Sequence, residues 1–199
     1  QVIPAQCHPL KTLRIFISSP GDVRPERVRA LDAAQKLQTK YRAFIHLEPI
    51  LWEHEAMSAF SSFPPQIIPP SKTDIVICIL WARIGMRLPG DYKRLDGSIP
   101  TGTEWEFEDA YNAHQAKGTP DLYVYHKTAK PLIEVGSDQE LLEWQQQKKA
   151  LDGFLDRWFK SRDGSFKAAF NTFETDEQFE RMLTDHLERI IEGKLRSEQ

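Results

Sequence analysis

The most constraining feature of the chain is an unbroken apolar run near its middle, Asp74-Ile75-Val76-Ile77-Cys78-Ile79-Leu80-Trp81. It is too short for a core helix, so it reads as a strand covered on both faces and as the centre of a sheet. A strand buried on both sides needs helices above and below it, which sets the pattern to look for in the rest of the chain.

That pattern is present. Leu13 to Ile17 is a compact apolar run that ends in the turn formers Ser18-Ser19-Pro20-Gly21-Asp22. From Pro25 to Tyr41 the residues Val28, Leu31, Ala34 and Leu37 recur at helical spacing. A second strand is expected at Ile45 to Leu51. Glu53 to Ser71, with Phe60 and Phe63 among prolines and serines, reads as a long loop with at most a short helix. Beyond the central strand, Gly85 to Thr103 is glycine- and proline-rich and long enough to be a functional loop or lid. A helix is expected from Glu104 to Lys117, and a fourth strand at Leu122 to Tyr125. Ser137-x-x-Glu140 and Thr175-x-x-Gln178 have capping-box spacing. The first opens a helix reaching Phe159. The second precedes Phe179, Leu183, Leu187 and Ile190, and Ala169 to Phe173 supplies a short last strand between the two helices. Strands alternating with helices imply right-handed crossovers and a parallel sheet of about five strands. The expected organisation is an irregular segment at 1–12, one α/β domain at 13–195, and a tail or linker at 196–199.

Charge and composition exclude several classes. The 26 basic and 29 acidic residues are well mixed and give a net charge of −3, without the basic stripe of a nucleic-acid binder. Cys7 and Cys78 are the only cysteines, and one lies in the central strand, so no disulfide is expected. No apolar stretch is long enough to span a bilayer and no signal peptide is recognisable at the start, so the expected location is the cytoplasm, away from membranes. The six histidines include no metal-binding pair, and no metal is expected. There is no P-loop. A phosphoacceptor receiver would need acids where Ser18-Ser19 and Trp81 stand, and a flavodoxin would need a phosphate loop that one Gly21 behind a proline does not supply.

In an open parallel sheet a ligand crevice lies outside the carboxyl ends of the strands, at the switch point of the winding. If the first and third strands are neighbours, Ser18 to Asp22, Trp81 to Gly85 and the helix start at Glu104 converge there. Glu106 falls in the same helical arc as Phe107, Ala110 and Ala113, an inward position for a carboxylate. The macrodipole favours acids in a first helical turn by about 0.3–1 kcal/mol. It covers acids at a helix start generally but not the face that Glu106 occupies, whereas Glu104 and Glu108, spaced i,i+4 on the side shared with Asn112, read as ordinary surface acids. Ser18 and Ser19 are placed to donate to ribose or phosphate oxygens, although such a turn also stands without a ligand. Trp81 and Arg83 are placed to stack on a ring and pair with a pyrophosphate, the alternative being a core tryptophan and an exposed arginine. Trp52-Glu53 stands where it could face the crevice or cap the sheet, with core packing the favoured role, and Asp22 reads as a helix N-cap.

Arg14-Ile15-Phe16-Ile17-Ser18-Ser19-Pro20-Gly21-Asp22-Val23, followed by Glu26-Arg27, resembles the opening of the Toll/interleukin-receptor (TIR)-like domains found at the N-terminus of bacterial STAND or NACHT-type ATPases. Gly102-Thr103-Glu104-Trp105-Glu106-Phe107-Glu108 resembles that family's next motif and also the Gly-Thr-x-x-Glu motif of nucleoside deoxyribosyltransferases. The resemblance implies a flavodoxin-like three-layer α/β/α fold and matches Glu106 to the glutamate that works at the anomeric carbon of a nucleoside ribose. It implies an NAD nucleosidase in immune or antiphage signalling, active on self-association and joined to a downstream ATPase or sensor domain, with NAD as substrate and no cofactor. Ser18, Ser19, Trp81, Arg83 and Trp105 would flank the substrate. Trp105 immediately precedes Glu106, whereas TIR enzymes often carry the aromatic a turn earlier. A non-enzymatic self-association module is the alternative, and a deoxyribosyltransferase a third reading.

Overall fold

A computed structural model describes residues 10–51, 68–134, 136–160 and 170–197. Its five strands, β1 (Lys11–Ser18), β2 (Ile45–Leu51), β3 (Ile75–Leu80), β4 (Asp121–Lys127) and β5 (Asn171–Phe173), form one sheet in the order β2-β1-β3-β4-β5. Every pairing is parallel. The α-helices are α1 (Arg24–Tyr41), α2 (Gly102–Lys117), α3 (Asp138–Phe159) and α4 (Asp176–Arg196). This is the flavodoxin-like arrangement expected from the alternation of elements.

All six residues of β3 are buried. Ile75, Ile77 and Ile79 join the core under α1 and α4, whereas Cys78 and Leu80 join Phe107, Leu151 and Phe154 under α2 and α3. The period of two along a strand therefore distributes one apolar run between two cores, which is why the run shows no polar alternation.

Helix α1 buries Ala34 and Leu37 and packs Leu31 against the core as expected, but its first turn differs. Its buried stripe is Glu26, Ala30, Ala33, Ala34 and Leu37, and Val28 is 57% exposed. Small alanines let α1 sit close to the sheet, and the buried first turn carries an acid in place of a hydrophobe. Helix α2 starts at Gly102, two residues before the expected start, because Thr101 forms a complete capping box with Glu104. Ser137 and Thr175 accept from the backbone N–H groups of Glu140 and Gln178. The Glu140 carboxylate accepts from Gly136 N–H and the Gln178 amide oxygen from Glu174 N–H, so each box closes one residue outside its cap. Cys7, Trp52-Glu53, Phe60, Phe63 and Ala169 lie outside the described residues.

Candidate functional site

The winding reverses between β1 and β3. The chain leaves β1 through α1 on one face and leaves β3 through α2 on the other, so the two connections part and leave a crevice above the strand ends. A cavity of about 270 Å³ occupies it. Its wall combines Ser19 from the turn after β1, Arg83 and Arg87 from the segment after β3, Thr103 from the start of α2, Arg27 from α1 and Gln147 from α3.

Beneath this cavity lies Glu106. It is only 2% exposed and does not line the cavity itself; Thr103, three residues earlier on α2, does. The hydroxyl of Ser18, the last residue of β1, donates to Glu106 Oε2 in a short hydrogen bond, and Ser18 is 1% exposed. Cys78 is the register partner of Ser18 on β3. Burial, with the nearby Glu106 carboxylate as the second cause, pushes the Cys78 thiol up to about 12. Carboxylate, hydroxyl and thiol thus form a polar group inside an otherwise apolar layer. A buried carboxylate is tolerated only where donors compensate its lost hydration.

Three side chains shape the loops around this group. Arg27 donates from Nε to Ser19 Oγ at 2.8 Å and from Nη2 to Ser19 O at 3.1 Å, which fixes the turn after β1. Asp22 is not a helix N-cap: Pro20 and Val23 cap the 3-10 turn and α1 without side-chain bonds, and Asp22 Oδ2 instead accepts from Ala82 and Arg83 N–H at 3.0 Å each. The acid thereby joins the β1 and β3 loops, and burial raises its carboxyl above the usual range against the pull of those donors. Gln147 Oε1 accepts from Ile84 and Gly85 N–H at 3.1 Å each, while its Nε2 donates to Gly85 O at 3.0 Å. Gly85 has φ +96°, the left-handed region where a side chain would be strained, and this turns the strap toward α2. The strap closes through Gly102 N–H to Met86 O and Leu88 N–H to Pro100 O.

Glu104 and Glu108 are drawn away from the crevice. Arg94 makes a two-bond contact with Glu108 at 2.6 and 3.0 Å and approaches Glu104 at 3.5 Å, so the long loop is pinned to the outer face of α2. Of the six residues assigned to the site from sequence, Ser19 and Arg83 line the cavity, while Ser18 and Glu106 pair beneath it. Trp105 packs beside Phe16 and Val76 and meets the Tyr92 ring edge-on at 5.5 Å. Trp81 turns to the opposite face, donates from Nε1 to Ala129 O at 2.7 Å and lies 4.7 Å beneath Lys127 Nζ. There Lys127 bonds Glu26 at 2.5 Å and Asp176 at 3.1 Å, and Glu26 Oε2 is buried without a partner.

Arg27 stood within a quoted motif but carried no assigned role, and Arg87 and Gln147 were not singled out. The first had a usable signal in its adjacency to the early turn. Gln147 had none, because its partners lie 62 and 63 residues away.

The fold and crevice define an open parallel α/β protein with a cationic cleft above a buried carboxylate. No family model matches the chain, and no curated protein matches it at a significant level. Among the described residues no helix is long and apolar enough to cross a membrane, and no group of three or more His, Cys, Asp or Glu residues is placed to hold a metal ion.

Proposed function

We propose that the chain is a TIR-like effector domain that cleaves the N-glycosidic bond of NAD or a related nucleotide, with Glu106 as the catalytic carboxylate. The observation that carries this reading is the placement of Glu106: inward-facing, near the start of α2, bonded by Ser18, and set beside Ser19 and Thr103, which line the crevice at the switch point of the sheet. In the reaction the C1′–N bond breaks, its electron pair goes to the pyridinium nitrogen, and neutral nicotinamide leaves. Water supplies oxygen to C1′ and releases a proton. The ribose passes through an oxocarbenium-like state, which a fixed carboxylate stabilises. A cationic leaving group needs no general acid, so one glutamate suffices. Arg27, Arg83 and Ser19 bind the phosphates, and Ser18 acts through Glu106 as a positioning residue.

The carboxylate is covered in this conformation, so turnover requires the residues above it to move. That fits an effector that works when assembled, within a cytoplasmic immune or antiphage protein that carries an ATPase or sensor domain. The same burial favours the second reading, a self-association module in which Glu106 is structural. Nicotinamide release by concentrated or artificially clustered protein separates the two. Loss with Glu106→Gln and retention with Glu108→Gln supports the enzyme, and no turnover in any assembled form supports the module.

A further inference from the structure

The crevice carries more positive charge than a dinucleotide diphosphate needs. Arg27, Arg83 and Arg87 all line a cavity of about 270 Å³ that has no acidic residue in its wall. Of the surrounding acids, Asp22 accepts from the Ala82 and Arg83 N–H groups and its charge acts on Arg83, whereas Glu104 and Glu108 are held by Arg94 and Glu106 by Ser18. Among the described residues no carboxylate forms an ion pair with any of the three arginines. Arg27 is held by the turn after β1, whereas Arg83 and Arg87 stand exposed on either side of Gly85, the latter fixed by the backbone bridge between Arg87 and Thr101.

A diphosphate linking two nucleosides carries two negative charges. A phosphate monoester adds roughly 1.5–2 more near neutral pH, and guanidinium is the group that pairs with it in two-bond geometry. We propose that the crevice selects a nucleotide bearing a phosphate on a ribose hydroxyl in addition to its diphosphate, with Arg87, the arginine beyond the pair that holds the diphosphate, as the specificity-determining residue. The assignment rests on the nucleotide reading of the site and adds the substrate class to it. In dinucleotide-binding α/β folds a nearby arginine accommodates a ribose 2′-phosphate.

The test is calorimetric titration of the 199-residue chain carrying E106Q, which prevents consumption of ligand, with NAD and with its 2′-phosphorylated counterpart NADP. NADP is expected to bind at least about tenfold more tightly, a difference of about 1.4 kcal/mol. Adding R87Q is expected to bring the two affinities within about threefold, with an unchanged melting profile because the side chain is exposed. Equal affinities before that change, tighter NAD binding, or selectivity that survives it overturns the proposal and leaves the nucleotide reading standing. Absence of binding by both nucleotides overturns the two together.

Discussion

The hydroxyl of Ser18 donates to the carboxylate of Glu106 across 88 residues of sequence, joining the end of β1 to the second turn of α2. Both side chains are buried, so the contact serves the stability of the layer as well as the geometry of the site.

Ser18→Ala removes a donor from a buried carboxylate. Hydrogen bonds to charged groups contribute roughly 1.5–3 kcal/mol, so a loss of about that size is expected in urea unfolding. Nicotinamide release should fall further than the lost folded fraction accounts for. A stability change below about 0.5 kcal/mol would mean that another donor replaces the hydroxyl.

Gln147→Ala frees two N–H groups and one carbonyl of the strap. The expected cost is about 1–3 kcal/mol, moderated because the site is only partly buried. Amide hydrogen exchange at Ile84 and Gly85 should accelerate while exchange within β3 stays slow. Unchanged protection at those two amides would remove Gln147 from its clamping role.

Lys127→Met leaves the Glu26 carboxylate buried with no cationic partner. Breaking a buried pair from one side costs about 3–5 kcal/mol, whereas replacing both partners is far milder. The double change Lys127→Met with Glu26→Gln should therefore recover much of the loss. Additive losses would show that the two side chains act independently.

His186 carries a pH dependence. Tyr125 lies at 2.8 Å from its Nδ1, Tyr123 stacks beside it, and Asp185 and Arg189 flank it on α4. Burial, with Arg189 adding, lowers its pKa below the ordinary 6.5. The unfolded chain therefore takes up the proton more readily, and the contribution to stability is present above about pH 6.5 and lost as pH falls through the depressed value. Tm measured across this range should drop less in His186→Gln than in the parent chain.

Much of this architecture was legible because it is local. The apolar run at β3, the strand–helix alternation and the Ser-x-x-Glu spacing each report on a few neighbouring residues, and each maps to an observed element. The inward face of Glu106 was readable for the same reason, since a helix period needs only a dozen residues. The phase of α1 held at Leu31, Ala34 and Leu37 and failed in the first turn, where Val28 looked like core but Glu26 is buried, because Lys127, 101 residues away, neutralises it. Asp22 misled in the same way: its position suits a cap, but two N–H groups after β3 claim it. Trp81 shows the limit of strand-end logic, since the pleat turned it to the α1 and α4 side. Contacts such as Gln147 to Gly85 leave no periodic trace.

Cys78 lies against Ser18 and Glu106 at the centre of the sheet, with a thiol pushed up to about 12 and no exposed surface. A thiol of that kind is sealed against alkylating reagents while the layer above it stays shut, because both access and thiolate are lacking. Its labelling rate therefore acts as an internal clock for opening of the layer that Cys78 shares with Phe107 and Phe154.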